Sequence, residues 1–343
     1  MKKIYITILL FISIMSSLYS LGNNEKKDKN TFKIGICNYV YDASLDQIVD
    51  NILNRLSEIE EERQVKFDIR LENCNADINI LNQIISNFIA DKVDIMIGIA
   101  TPVAIAMQSA TEDNLIPVIF SAVSDPVGSN IVSSLKTPGG NLSGTSDYLD
   151  SSALLNLILA LKPNAKKIGL LYDVGQDSST TPIREAKDFL NKKGISYIEH
   201  TGTDQNSIIM AAQALVSDKV DAVFTPTDNT VMTSQLAIYE IFSDAKIPHF
   251  TGADSFALNG AFLGYGVDYA YLGQKTAEMA ASVLIDKKEI SSLSVMTFDN
   301  GTATINTEIA EKLGYNYDDL VTIFSPYCTS IKKIKTANSF NEL

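Results

Sequence analysis

Two stretches of the chain repeat one another about 130 residues apart, and that repeat limits what the chain can fold into. Asp91-Lys92-Val93-Asp94 leads an apolar run into Gly98-Ile99-Ala100-Thr101, then a helix-like segment, then Ile116-Pro117. Asp218-Lys219-Val220-Asp221 leads in the same way into Thr225-Pro226-Thr227-Asp228, another helix-like segment, and Ile247-Pro248. The strand expected to open each copy matches too, Lys33-Ile34-Gly35-Ile36 against Lys167-Ile168-Gly169-Leu170. Strand-like runs at 32–37, 66–71, 93–99 and 116–121 are answered by runs at 167–172, 195–200, 220–225 and 247–251. Between them lie segments of helical period, such as Leu45, Ile48, Ile52, Leu56 and Ile59, whose spacing puts them on one face. Thr101-Pro102 and Thr181-Pro182 read as helix starts and Gly194 as a helix stop. Alternating strands and helices predict two α/β lobes, each a doubly wound parallel sheet, joined by a hinge and facing one another across a cleft.

A chain of 343 residues suits two such domains. Residues 138–150 separate the copies and read as a first crossing between lobes. A strand-like run at 261–266 and a helix-like Tyr271 to Ile285 predict a second crossing, and a run at 295–305 a third. The expected division is 32–147 with about 268–290 for lobe one, 148–267 with about 291–325 for lobe two, and 326–343 as a tail. Hinged lobes of this kind close around ligands.

Lys2-Lys3, the apolar stretch Ile4 to Ile14, and small residues before a break at Gly22 form a signal-sequence pattern over residues 1–22, followed by a polar leader at 23–31. Export to the periplasm or cell envelope is the expectation. A net charge of -13 makes nucleic acid a poor partner, because phosphate binding draws on clustered Lys and Arg. Cys37 and Cys74, at the ends of the first two strand-like runs, are placed either to pair or to stand as buried thiols; Cys328 falls in the tail.

The chain carries no phosphate-binding glycine loop, no nucleophile elbow and no zinc-binding His-Glu-x-x-His. Its two histidines, His200 and His249, lie in strand-like runs and read as structural. No enzyme activity, cofactor or metal is expected, and the chain is expected to act as a monomer. In doubly wound sheets, ligands sit outside the carboxyl ends of the strands. The duplication therefore locates the candidate loops: Tyr39 and Tyr41; Thr101; Ser121, Ala122, Val123, Ser124 and Asp125; Gln176; Thr227, Asp228 and Asn229; and Asp254. Ser146 and Asp147 join them from the first crossing. Lobe one offers hydroxyls at helix N-termini, which favour a carboxylate; lobe two offers aspartates, which favour an ammonium. A small zwitterion answers both. Capping alone is the alternative reading of Thr101, Asp125 and Asp228.

Five blocks carry a family likeness: Gly98 to Ala104, Pro117 to Gly128, Pro138 to Asp147, Val223 to Val231 and Gly264 to Gly273. Together they resemble the substrate-binding proteins of ABC transporters of the TrpX kind, over about residues 33–317. The resemblance implies a type I periplasmic-binding fold, delivery of ligand to a permease with its ATPase, and an aromatic amino acid as ligand. It also implies that Thr101 and the stretch Ser121 to Ser124 hold the ligand carboxylate and that Asp254 holds its ammonium. Where many relatives carry a Val-x-His-Pro-like turn, this chain has Val40-Tyr41-Asp42-Ala43-Ser44-Leu45-Asp46. Alternatives are a nucleoside or sugar ligand, and an exported sensor reporting to a membrane receptor.

Overall fold

The computed structural model describes residues 30–299 and 301–337; the expected signal sequence lies outside them. In lobe one, strands β1 (Thr31–Asn38), β2 (Lys66–Asn73), β3 (Ile95–Ile99), β4 (Val118–Ser121) and β5 (Leu142–Gly144) form a wholly parallel sheet in the order β2-β1-β3-β4-β5. Helices α1 (Ala43–Arg63), α2 (Ile78–Ala90) and α3 (Thr101–Thr111) connect them. Lobe two begins with α4 (Ser151–Leu161), β6 (Lys167–Tyr172), α5 (Asp177–Lys193), β7 (Ser196–Thr201) and α6 (Gln205–Ser217). It continues through β8 (Ala222–Thr225), α7 (Asn229–Asp244), β9 (His249–Thr251), α8 (Asp254–Leu258) and β10 (Leu263–Gly266). Helix α9 (Tyr269–Leu284) returns to lobe one and packs along α1. Then β11 (Thr302–Asn306), α10 (Thr307–Leu313), α11 (Tyr317–Phe324) and β12 (Ser330–Ile334) complete lobe two.

The repeated Asp-Lys-Val-Asp sequence does one packing job twice. Asp91 and Asp218 end α2 and α6, and Lys92 and Lys219 take left-handed turns, φ 53° and 56°. Asp94 then accepts the Lys33 N–H on its carboxylate (2.8 Å) while its own N–H donates to the Lys33 carbonyl (2.8 Å). Asp221 repeats this with Lys167 (2.9 and 2.8 Å). The matching glycines also have a reason: a Cβ on Gly35 would sit 2.7 Å from the Phe88 ring, and one on Gly169 2.9 Å from Leu215. Each glycine lets the helix that precedes the turn lie close on its sheet.

Four details differ from the sequence reading. The sheet of lobe two is not wholly parallel, since β11 runs antiparallel to β10. That strand enters from the third crossing, at the cleft end of the sheet, and so points away from the cleft where β10 points toward it. The expected tail supplies β12, which pairs with β11, and the expected crossing at 138–150 contains β5 before the chain leaves lobe one. Helix α5 starts at Asp177 and carries Pro182 inside it, so Thr181-Pro182 is not its start; Gly194 does end it, at φ 69°. Cys37 and Cys74 are buried free thiols, with the Cys74 Sγ donating to the Tyr39 carbonyl (3.1 Å).

Two crossing segments run side by side at the hinge, joined by Thr145 and Met296, with Ser146 N–H donating to the Met296 carbonyl (2.9 Å).

Candidate functional site

The carboxyl ends of both sheets face a closed cleft in which about 30 Å³ of free space remains. Lobe one contributes Ala100, Thr101, Ala122 and Ser124; the crossing contributes Asp147; lobe two contributes Thr227, Asp228 and Asn229. The duplication placed Thr101, Ala122, Ser124, Thr227, Asp228 and Asn229 there, and the first crossing added Asp147. Among the described residues no Lys or Arg lines the cleft, while Asp42, Asp147 and Asp228 do.

The lobes are closed on one another. Ser124 Oγ donates to Asp147 Oδ1 (3.0 Å) and bonds Thr227 Oγ1 across the cleft (2.9 Å). Thr181 Oγ1 of lobe two donates to Asp125 Oδ2 of lobe one (2.6 Å). Ser44 Oγ of lobe one donates to Asp254 Oδ1 of lobe two (2.7 Å).

Helix α3 opens into the cleft without a side-chain cap, and its N-cap residue is Ala100 at φ 75°, ψ 156°. A backbone in that region is strained for any residue with a Cβ, and such strain persists where surrounding structure holds it. Here the Ala100 N–H is held by the Ser121 carbonyl (2.9 Å). Thr101 is buried and its hydroxyl has no hydrogen-bond partner. An uncapped helix start and an unpartnered hydroxyl form a place for an anionic oxygen.

The carboxylates differ in how well they are served. Asp228 caps α7 and accepts from Val231 N (2.9 Å), Asp173 N (2.8 Å) and Ser179 Oγ (2.6 Å). Asp147 accepts from Ser124 and from the Tyr269 hydroxyl (3.2 Å). Asp42 caps α1 through Oδ1, which takes the N–H groups of Ser44 (3.0 Å) and Leu45 (3.1 Å), and leaves Oδ2 buried with no partner. Burial pushes Asp42 and Asp228 each up to about 6, their hydrogen bonds offsetting part of the effect. Burial raises Asp147 and Asp254 as well.

Other predicted residues fall outside the cleft wall. Ser121 bonds Thr276 Oγ1 (2.8 Å) within lobe one, and Val123 is fully buried in that lobe's core. Ser146 is buried at the hinge, its hydroxyl 3.4 Å from the Ser124 carbonyl. Tyr41 is 71% exposed. Tyr39 and Gln176 border a second hollow that shares Asn229 with the cleft. Asp254 opens the short α8, where the sequence reading saw only a loop, and lies behind the wall that Ser255 lines. His200 bonds Asp218 (2.7 Å) and His249 bonds Thr225 (2.8 Å), both within lobe two.

Sequence reasoning missed Asp42, Leu45, Ser178, Met232, Phe256 and Tyr269, all on the cleft wall. Asp42 reads in sequence as a helix cap and Met232 as a core residue. Tyr269 lay within a block already singled out, but only the fold shows that it meets Asp147.

Residues 33–325 match the family described as ABC transporter substrate binding protein. A tyrosine-binding protein of Clostridioides difficile (strain R20291) is 33% identical over 290 residues, 84% of this chain and 82% of that one. Among solved structures, an ABC domain in complex with L-Trp from Streptococcus pneumonia is 32% identical with a TM-score of 0.79, covering 88% of this chain and 99% of that one. A ligand-free, open substrate-binding protein with adhesive properties from Clostridium difficile is also 32% identical, but its TM-score is 0.68, over 89% of this chain and 100% of that one. At equal identity the L-Trp complex superposes better than the open form, in keeping with the bonds that join the lobes here. The α/β lobes and their hinge are those of a type I periplasmic-binding fold, and the chain belongs to the ABC transporter substrate-binding proteins.

Proposed function

We propose that this protein is exported, captures an aromatic amino acid between its lobes and delivers it to an ABC importer. The observation that carries the reading is the polarity of the cleft. Aspartates line it without a Lys or Arg, and an uncapped helix start with the unpartnered Thr101 hydroxyl stands among them. A carboxylate fits the α3 N-terminus, where free N–H groups and the helix dipole favour negative charge. An ammonium on the neighbouring carbon then faces Asp147, which Ser124 ties to the same end of the cleft. Leu45, Met232 and Phe256 supply an apolar wall for a side chain. The relatives that bind tyrosine and L-Trp support an aromatic side chain there. The signal pattern in residues 1–22 supports export.

Calorimetry of residues 23–343 with each of the twenty amino acids tests this. Binding confined to aromatic amino acids is the expected result; a folded protein that binds none of the twenty overturns it.

A further inference from the structure

We propose that Asp42 reads a hydrogen-bond donor on the ligand's side chain, so that the cleft accepts aromatic amino acids carrying an O–H or N–H group and rejects those without one. This rests on the aromatic amino-acid reading and adds to it the residue that selects within that class.

The polar groups of the cleft fall into two sets, distinguishable by their bonding. One joins Ser124, Asp147 and Thr227, with the unpartnered Thr101 hydroxyl on the same cleft wall, and it is the set suited to the zwitterionic backbone of an amino acid. The other is built on the N-terminus of α1 and on α8. There the Ser44 hydroxyl donates to Asp254 and accepts the Ser255 N–H (3.3 Å), and the Ser255 hydroxyl contacts Met232 Sδ (3.2 Å). Asp42 belongs to this second set, next to Leu45 on the cleft wall and with the Ser255 hydroxyl near enough to favour its charged form.

Donor accounting then isolates one atom. Asp147 has a donor on each oxygen, Asp228 has three donors, and Asp254 is served by Ser44. Among the described residues, Asp42 Oδ2 is the one carboxylate oxygen that is buried without a partner. Asp42 is 8% exposed, so solvent does little to serve it. A buried acceptor left unpaired loses its hydration without compensation, the more so when charged. A phenol O–H or an indole N–H at the rim of an aromatic ring satisfies it; an unsubstituted phenyl ring seals it off dry. Sites built to hydrogen-bond a substrate O–H or N–H reject the analogue lacking it far more strongly than apolar pockets reject a change in size.

The test is calorimetry of tyrosine, tryptophan and phenylalanine on wild type, Asp42→Ala and Asp42→Asn. Wild type is expected to bind tyrosine or tryptophan at least about 100-fold more tightly than phenylalanine. In Asp42→Ala that ratio falls below about tenfold, through loss of the donor-bearing ligand. Asp42→Asn keeps an oxygen to cap α1, so it reports on binding with the fold intact, and it too narrows the ratio. Its amide hurts tryptophan more than tyrosine, because an indole N–H only donates while a phenol O–H also accepts. Wild type binding phenylalanine within tenfold of the others, or a ratio unchanged in Asp42→Ala, overturns the assignment and leaves the aromatic reading standing. Failure of all three to bind wild type removes both.

Discussion

Closing the cleft over buried carboxylates has a measurable consequence for stability. Asp42 and Asp228 are each raised from 3.8 to about 6, chiefly by burial. The folded state therefore holds protons that the unfolded state has released, and stability falls as pH rises through this window. For one such group the linkage relation gives a penalty of about 3 kcal/mol at pH 7 and about 1.5 kcal/mol at pH 5. The pair favours the folded protein at pH 5 over pH 7 by about 2.5 kcal/mol. Asp46, raised to about 6 in the same way, adds to this, whereas His249, lowered to about 3 by burial, opposes it by about 2 kcal/mol because the unfolded imidazole binds a proton at pH 5. Glu62, Asp204 and Asp286 are lowered by hydrogen bonds and act in the opposite sense, at pH values below this window. Urea unfolding of the ligand-free protein at the two pH values measures the difference. Asp42→Asn removes one of these groups while keeping the cap on α1, so it raises stability at pH 7 and shifts the difference between pH 5 and pH 7 by about 1.3 kcal/mol. An Asp42→Asn variant whose stability changes between pH 5 and pH 7 just as wild type's does, or that is less stable than wild type at pH 7, refutes the reasoning. The expected variant is more stable and binds worse, a stability–function trade-off located on one atom.

Two further predictions concern the elements that shape the cleft. Ala100→Gly relieves a strain of about 1–3 kcal/mol at φ 75°, ψ 156° and gives back about 0.5–1 kcal/mol of chain entropy, so the ligand-free protein gains about 1 kcal/mol in urea unfolding; a destabilised variant contradicts the strain. Asp254→Ala and Ser44→Ala each weaken ligand binding by about 1.5–3 kcal/mol, because both remove one bond that joins the closed lobes. The double variant loses no more than the worse single. Additive losses in that cycle, read by calorimetry, place Asp254 on the ligand itself.

The fold was legible because its repeat is enforced by sterics and backbone bonding, which act within a few residues and leave a fixed sequence trace. Asp94 and Asp221 each accept the N–H that starts a strand, and Gly35 and Gly169 each stand where a Cβ would strike a helix side chain. What the repeat did not carry was the behaviour of segments that belong to neither copy. Ser330–Ile334 alternates weakly and joins the sheet only because β11, arriving from the hinge, leaves an edge open beside it.

The site was legible in position and less so in role, and the reason lies in how a carboxylate uses two oxygens. Asp228, Asp254 and Asp42 all stand at helix starts; from sequence Asp228 and Asp42 are explained by the helix each precedes, whereas Asp254 reads as a loop residue. Asp228 spends its oxygens on that work, holding α7 to the loop after β6. Asp254 spends itself on Ser44, a partner 210 residues away that nothing local announces. Only Asp42 caps its helix with one oxygen and leaves the other for something the chain does not supply. It sits in the turn Val40 to Asp46, the stretch where the sequence departs from the pattern it otherwise resembles. Comparing the two copies pointed to Asp254, since it replaces Val123 of the first copy. That comparison finds differences between the lobes, whereas the unpartnered atom is found only by counting donors once both lobes have closed over it.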